Sequence, residues 1–231
     1  MLGAMTTTLI TGGNRSLGYE TAKQLIAAGH DVWIAARDPE KGQAAAEELG
    51  ARFVQLDVTD DASVQAAVET VGALDVLINN AGIPGGRVPV PEATVDDLRR
   101  VYETNVFGPV RVLQAFRPLL ERSERPVVVN VSSGMGSMTL TSDPERVEST
   151  FVNLAYSSSK SALNMLTSQW ARAYPKIRIN AADPGYTATD FNNHSGHQTV
   201  EEGAEIIVRL AQIGADGPTG TYQDRHGVVP W

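Results

Sequence analysis

A tyrosine and a lysine stand four residues apart in the segment YSSSK, from Tyr156 to Lys160. In a helix this spacing places both side chains on one face, one turn apart. A phenol that exchanges a proton near neutral pH must ionise about three units below its ordinary pKa, and a neighbouring ammonium group favours that ionisation. The pair therefore indicates acid–base chemistry in which Tyr156 gives or takes the proton.

A glycine-rich segment, TGGNRSLG at residues 11–18, lies between a predicted strand and a predicted helix. Glycines at such a turn let the backbone approach a pyrophosphate, and the helix N-terminus supplies free N–H groups and a positive dipole end. The spacing is not the GxGxxG fingerprint. The glycines alone are therefore equally consistent with phosphate binding and with a plain glycine-rich connection.

Short apolar runs alternate with helical patterns along the chain, which is typical of a parallel sheet covered by helices on both faces. The predicted strands are 7–11, 32–36, 52–56, 74–79, 126–131, 177–181 and 219–222. The predicted helices are 17–28, 38–50, 60–71, 94–121, 151–173 and 199–212. We therefore predict an α/β fold: a single-domain, Rossmann-like, doubly wound parallel sheet of about seven strands over residues 1–231.

Three irregular segments, 83–92, 134–150 and 185–198, follow the fourth, fifth and sixth predicted strands. Ligands of open α/β sheets bind beyond the carboxyl ends of the strands, so these segments are predicted to be substrate loops. Their large apolar residues indicate an apolar pocket, although the same residues would suit the core. These residues are Met135, Met138, Tyr186 and Phe191.

Composition excludes several kinds of partner. The chain of 231 residues carries 27 acidic and 19 basic residues, so a nucleic acid is not an expected partner. No apolar run approaches the ~18 residues that span a membrane, and the first residues do not resemble a signal peptide. We therefore expect a cytoplasmic protein without a membrane partner. Cysteine is absent, and His194-x-x-His197 lacks a third ligand, so no metal is predicted.

The segments TGGNRSLG, NNAG at 79–82 and YSSSK together resemble the short-chain dehydrogenase/reductase family, over Thr8 to about Tyr222. The resemblance implies that Tyr156 and Lys160 are catalytic. It also implies that Ser133, the second serine after the fifth strand, hydrogen-bonds the substrate carbonyl oxygen; Ser132 is the nearest alternative.

Asn105 matches the asparagine with which relatives hold a water beside the lysine. Alternatively, it is only a polar residue that interrupts a helix.

The resemblance further implies a nicotinamide dinucleotide site. Its residues would be Gly12, Asn14, Arg15, Ser16, Leu17, Gly18, Arg37, Asp57, Val58, Asn80, Ala81, Gly82, Tyr156, Lys160, Pro184, Gly185 and Thr187. Thr187 would reach the carboxamide, with Thr189 as the alternative. Asp57 would either meet the adenine edge or cap the next helix. Ser16 stands where the family usually has glycine, so its Cβ could crowd the pyrophosphate or its hydroxyl could donate to a phosphate.

The choice between NAD and NADP(H) follows from charge. An acid at the end of the second strand would hold the ribose of NAD, but Ala36 occupies that position and Asp38 is predicted to cap a helix. Arg15 and Arg37 could converge on a 2′-phosphate, since guanidinium groups bind phosphate as a fork. The alternative is two solvated surface arginines. We predict NADP(H).

Within the family the chain is most similar to carbonyl reductases. The shared features are GGNR in the glycine-rich loop, ARD after the second strand, EEGAE at 201–205 and GPxG at 217–220. The expected substrate is a small-molecule ketone, aldehyde or quinone. The alternatives are an NAD(P)-dependent alcohol dehydrogenase that works oxidatively and a non-catalytic dinucleotide-binding sensor. The 23-residue step from Ser133 to Tyr156 is longer than in most of the family, so whether the protein is a homo-oligomer stays open.

Overall fold

The fold is described from a computed structural model, which covers residues 5–86 and 88–231. Residues 1–4, and residue 87 within the predicted loop 83–92, lie outside the described residues. The strands in the described part are β1 (Thr7–Thr11), β2 (Asp31–Ala36), β3 (Arg52–Gln55), β4 (Val76–Asn79), β5 (Val127–Val131), β6 (Arg178–Ala182), β7 (Tyr222–Asp224) and β8 (Gly227–Val228).

These strands form one sheet in the order β3-β2-β1-β4-β5-β6-β7-β8. All neighbours are parallel except the terminal pair, β7 and β8. Ile10 of β1 pairs with Ile34 on one side and with Ile78 on the other, so strand order reverses at β1. This reversal creates the crevice in which sheets of this class bind ligands.

Eight α-helices connect these strands in the described part of the chain. They are α1 (Ser16–Ala27), α2 (Pro39–Leu49), α3 (Asp61–Val71), α4 (Val95–Tyr102), α5 (Gly108–Leu120), α6 (Met138–Ser142), α7 (Leu154–Ala173) and α8 (Val200–Ala211). Capping residues fix several helix starts: Asp38 accepts from Lys41 N, and Thr199 and Glu202 form the capping box that the sequence predicts. No helix of the described residues is long and apolar enough to cross a membrane.

The helices cover both faces of the sheet, as predicted. Leu25 of α1 and Ile206 of α8 pack with Ile10 and Ile78 on one face. On the other face, α3, α5 and α7 pack against the sheet, with Phe116 of α5 fully buried. Burying each such aliphatic or aromatic side chain contributes about 1.5–3 kcal/mol, so the two cores hold the strand ends in place.

The predicted helix 94–121 is interrupted. Residues Glu103–Phe107 form one π-helical turn between α4 and α5, and Gly108 N donates to Glu103 O. Pro109 has no N–H with which to continue the regular pattern, so a wider turn is accommodated just before it. The buried Asn105 lies in this turn.

Two further differences concern short elements. The sheet has eight strands in the described residues rather than about seven, and the strand predicted at 219–222 begins at Tyr222. A tight turn leads to β8, where Asp224 Oδ1 accepts from His226 N and Gly227 N at 2.7 and 2.9 Å. The predicted irregular loop 134–150 contains the five-residue helix α6, which begins at its cap Ser137.

Candidate active site

The glycine-rich loop is held from behind by Asn80. Its Nδ2 donates to Thr11 O and Gly12 O at 2.9 and 3.1 Å, and Asn80 N donates to Thr11 Oγ1 at 3.0 Å. A Cβ at Gly18 would lie 2.5 Å from Gly12 O, so only glycine lets α1 start this close to the loop. The loop backbone is therefore fixed with the N-terminus of α1 directly behind it.

Ser16, the first residue of α1, has a φ of +47°. This left-handed conformation costs a non-glycine residue about 1–2 kcal/mol, which explains the glycine that relatives have here. The Ser16 hydroxyl donates to Asp190 Oδ2 at 3.5 Å, in the loop that follows β6. The side chain thus links the glycine-rich loop to a predicted substrate loop.

Within the part of the chain that the structure describes, the end of β2 lacks a free carboxylate that could hold the ribose of NAD. Ala36 is buried at the strand end, and Arg15 and Arg37 are exposed. Asp38 Oδ1 accepts from Lys41 N at 3.1 Å, and its Oδ2 lies 3.3 Å from Lys41 Nζ. Asp38 is thus the helix cap that we predict.

The remaining cofactor candidates lie around the same strand ends. Asp57 Oδ1 accepts from the N and Oγ1 atoms of Thr59 at 2.9 and 2.7 Å. The cap of α3 is instead Asp60, which accepts from Ala62 N and Ser63 N. Val58 is buried, and Asn14, Leu17, Ala81, Gly82 and Pro184 are partly buried.

Tyr156 and Lys160 lie on one face of α7, as their spacing predicts. Lys160 Nζ is 5.7 Å from the centre of the Tyr156 ring and donates to Val131 O at 2.7 Å. Lys160 is only 5% exposed. Burial lowers the pKa of Lys160 to about 8, and the charge of Asp183 opposes that shift.

The two serines after β5 point to different places. Ser132 Oγ donates to Asn164 Oδ1 at 2.5 Å and is buried. Burial raises the pKa of the Tyr156 phenol, and the neighbouring Ser133 hydroxyl partly offsets the rise. Ser133 therefore lies beside the phenol, whereas the Ser132 hydroxyl is buried and hydrogen-bonded to Asn164.

Asn105 bridges two elements near the lysine. Its Oδ1 accepts from Ile83 N at 2.9 Å, and its Nδ2 donates to Ile83 O and Ser159 Oγ at 3.0 and 3.1 Å. A Cβ added at Gly82 would lie 3.4 Å from Asn105 Oδ1 and 3.7 Å from Lys160 Nζ. Asn105 thus lies in the turn that interrupts a helix and also near the lysine, and its role in holding a water there stays a prediction.

The threonines of the β6 loop are tied to their own turn. Thr187 Oγ1 donates to Pro184 O at 2.9 Å. Thr189 is buried and forms a capping box with Asn192. Gly185, between them and β6, has a φ of +70°, which favours glycine.

Asn153 joins the loop after β4 to helix α7, which carries Tyr156 and Lys160. Its Oδ1 accepts from Tyr156 N at 3.0 Å and caps α7. Its Nδ2 donates to Pro84 O and Gly86 O at 3.2 and 3.1 Å. The position of Tyr156 therefore depends on the first predicted substrate loop.

A cavity of about 320 Å³ opens beside Ser133. Met135 and Tyr186 line it, Phe191 packs on Tyr156 instead, and Met138 is 73% exposed. Many of the residues that line the cavity are ionisable, so the expectation of an apolar pocket is only partly met. Its ionisable lining residues are Glu145, Arg146, Glu148, Asp183, His197, Asp224, Arg225 and His226.

The two histidines of the β6 loop have separate partners. His194 Nε2 lies 3.0 Å from Asp190 Oδ1, and the ring of His197 packs edge-on against Tyr186 at 5.9 Å. Within residues 5–86 and 88–231, no group of three or more candidate ligands gathers for a metal ion.

Sequence reasoning missed the acidic residues of the cavity. Asp183 directly precedes Pro184-Gly185, and an acid at the buried end of a strand is the signal that could have found it. Glu148 and Asp224 come from a 3-10 turn and from the short strand β7. Their convergence depends on long-range packing.

Comparisons with known proteins match nearly the whole chain. Residues 6–200 match the family described as short chain dehydrogenase. A (+)-neomenthol dehydrogenase of Capsicum annuum is 31% identical, covering 96% of both chains. Salutaridine reductase of Papaver somniferum is 31% identical, covering 94% of this chain and 93% of the relative. The structure of an NADPH-bound carbonyl reductase from chicken fatty liver is 29% identical with a TM-score of 0.86, covering 98% of this chain and 99% of that chain.

Proposed function

The chain belongs to the short-chain dehydrogenase family of oxidoreductases, and we propose that it is an NADPH-dependent reductase that converts a ketone, aldehyde or quinone to an alcohol. The observation that carries the proposal is the cluster of Tyr156, Lys160 and Ser133, of which Ser133 lines the cavity. The alignment of this cluster with the glycine-rich loop along one edge of the sheet supports a reaction between cofactor and substrate there.

The residues present fit a nicotinamide dinucleotide. Gly18 brings the N-terminus of α1 against the loop, where a Cβ would collide, and such a terminus favours a pyrophosphate. When bound, the cofactor supplies the hydride. Gly12 to Gly18 would hold its phosphates, and Lys160 and Thr187 would lie towards its ribose and carboxamide.

The side chains of the cluster have distinct tasks. Ser133 donates a hydrogen bond to the carbonyl oxygen and stabilises the negative charge that develops there. Tyr156 gives its proton to the same oxygen. The ammonium group of Lys160, 5.7 Å from the Tyr156 ring, stabilises the phenolate that remains. Asn105 positions this end of α7 through Ser159.

The preference for NADPH rests on Arg15, Arg37 and Ala36. Both arginines are exposed, Arg37 directly after β2 and Arg15 in the glycine-rich loop, and Asp38 is already engaged as a helix cap. An arginine fork suits a 2′-phosphate better than a hydroxyl. The chicken carbonyl reductase that this chain resembles is NADPH-bound in its structure, which supports the same preference.

The protonation state of Tyr156 is compatible with reduction. Burial raises the pKa of its phenol, so the residue is protonated before the cofactor binds. A protonated phenol is ready to act as the donor that reduction requires, whereas oxidation of an alcohol would first need a phenolate.

The test is to follow NADPH and NADH consumption with a panel of ketones, aldehydes and quinones. We expect turnover with at least one class and a preference for NADPH. Tyr156→Phe, which removes only the hydroxyl, is the matched control and should be inactive. A protein that binds NADPH tightly but turns over no member of the panel in either direction would instead support a non-catalytic sensor.

A further inference from the structure

Asp183 is a buried acid that the proposed mechanism does not use. It follows β6, is only 6% exposed and lines the cavity with Ser133. Its Oδ1 accepts from Gly185 N at 2.9 Å, and its own N donates to Gln223 O at 2.7 Å. The carboxyl group is therefore fixed between the loop after β6 and the end of β7.

A second carboxyl group, that of Glu148, lies close to it beside Gly134. A Cβ at Gly134 would lie 2.9 Å from Glu148 Oε1 and 3.1 Å from Asp183 Oδ2. These two distances from one point keep the oxygens within about 6 Å of each other. Gly134 directly follows Ser133, so both carboxyl groups lie close to the backbone next to Ser133.

Two arginines that line the cavity with Asp183 are paired with other carboxyl groups. Glu148 is paired with Arg146 through two nitrogens at 3.2 Å. Arg225 is paired with Glu202 and Glu205 at 2.9 and 3.5 Å. Further ionisable groups facing this region are Glu145, His197, Asp224 and His226 in the cavity, Tyr156 and Lys160 on α7, and Tyr222 on β7.

In this environment Asp183 keeps its proton up to a higher pH than an exposed carboxyl group does. Burial raises the pKa of Asp183 to about 6, the backbone N–H groups of Gly185 and Gly134 oppose the rise, and the charges of Asp224 and Glu148 add to it. In turn, the charge of Asp183 raises the pKa values of Tyr156 and Lys160. The acid is thus electrically coupled to both catalytic side chains.

We propose that Asp183 is a positioning residue: its carboxyl group holds the backbone beside Ser133, and its charge keeps the proton on Tyr156 until substrate is bound. The inference rests on the proposed reductase function. Ionised Asp183 favours the protonated phenol that reduction needs, and neutral Asp183 makes the same phenol a stronger acid. The pH dependence of the reaction in each direction is therefore sensitive to the charge of Asp183.

The activity test compares Asp183→Asn with Asp183→Ala. Asparagine keeps an acceptor for Gly185 N but carries no charge. In alcohol oxidation, the rise of kcat/KM with pH should move down by about 1 unit in Asp183→Asn, as expected for the loss of one nearby charge in a protein interior. Asp183→Ala should show the same shift and also a lower kcat, because the acceptor is lost. A pH profile that superimposes on the wild-type profile would overturn the proposal.

The control is Asp31→Asn, which removes one charge from the opposite end of the sheet, where Asp31 pairs with Arg52. It should leave the pH profile unchanged. An equal shift in this variant would mean that net charge alone is responsible, and it would overturn the specific role of Asp183.

A stability measurement keeps this inference separate from the proposed function. A carboxyl group whose pKa is higher in the folded state than its ordinary 3.8 costs stability as pH rises from about 4 through 6. Asp183→Asn should therefore raise Tm by about 5 °C at pH 8 and by much less at pH 4. If wild-type protein reduces no carbonyl, the function fails while this result still stands. An equal effect of the variant on Tm at both pH values would contradict the claim that Asp183 carries a buried charge at pH 8.

Discussion

The ring of Phe191 packs on the ring of Tyr156, with centres 5.4 Å apart and planes inclined by 58°. Phe191 belongs to the short turn 190–192, whose cap Thr189 follows the Pro-Gly segment after β6. Because Phe191 is 40% exposed, its ring shields the phenol from only part of the solvent. The turn and the phenol of Tyr156, which we propose as the proton donor, therefore form one surface.

We expect Phe191→Ala to raise KM for apolar ketones several-fold, because the variant loses apolar contact area beside the reacting oxygen. Binding of NADPH should change little. Steady-state kinetics with a homologous series of ketones, together with a fluorescence titration of NADPH, checks both statements. Phe107→Ala, on an exposed position of the π-helical turn, is a control for general loss of an aromatic surface residue.

Tyr156→Phe should remove most turnover and leave NADPH binding near normal, because only the proton donor is deleted. Lys160→Ala should lower turnover and also weaken NADPH binding, since the lysine would also hold the ribose hydroxyls. Turnover numbers and the Kd for NADPH distinguish the two variants. Wild-type turnover by Tyr156→Phe on every accepted substrate would show that the assignment is wrong.

The stability of Lys160 variants should run opposite to their activity. Burial lowers the pKa of Lys160 to about 8 from an ordinary 10.5, so the charged form destabilises the fold at all pH values below about 8. Lys160→Met should raise the free energy of unfolding at pH 7 by up to about 3 kcal/mol, less the lost hydrogen bond to Val131 O. The gain should vanish as pH rises through about 10.5. Urea unfolding at pH 7 and pH 10.5 measures the difference.

Ser16→Gly tests the departure from the family pattern. Relief of the positive φ favours the variant, while the freer unfolded chain opposes it, so the free energy of unfolding should change by less than about 1 kcal/mol. If the hydroxyl donates to a phosphate, NADPH affinity should fall by about 1.5–3 kcal/mol, and this is the result we expect. A gain in affinity would mean that the Cβ crowds the pyrophosphate, and an unchanged Kd would contradict both accounts. Asp190→Asn shows whether the 3.5 Å contact to Ser16 contributes.

Cofactor choice should respond to the charges at the end of β2. Ala36→Asp combined with Arg37→Ala places a carboxylate where the 2′-phosphate would lie and removes one cation. The ratio of kcat/KM for NADPH to that for NADH should fall by about 2–4 kcal/mol, or tens- to hundreds-fold. Added salt should reduce the preference of the wild-type protein for NADPH over NADH, because salt screens the charges of exposed arginines. A preference of the wild-type protein for NADH would contradict the proposal that Arg15 and Arg37 bind a 2′-phosphate.

The regular part of the fold was predictable because each long element carries its own periodic pattern. The strands from β1 to β6 and the helix of Tyr156 and Lys160 were predicted within a few residues of their bounds. The elements α6 and β8 have five and two residues, which is too short for a periodic signal. The π-helical turn before Pro109 changes the backbone pattern without changing the helical spacing of apolar residues.

The charged side of the cavity was less predictable. Tyr156 and Lys160 are close in sequence, so helical geometry alone brings them together. Asp183, Glu148 and Asp224 come from three separated segments, and their environment depends on how those segments pack. A pKa shift caused by burial and by distant charges has no counterpart in local sequence.

The order of the strands has a consequence for biosynthesis. The glycine-rich loop, Asn80 behind it and the strands β1 to β4 are complete once the first 80 residues have been made. The cavity needs Ser133, Asp183 and finally Asp224, which lies in the hairpin of β7 and β8. Because chains emerge N-terminus first, the segments that we propose to hold the nucleotide are synthesised before Ser133, Asp183 and Asp224, which line the cavity.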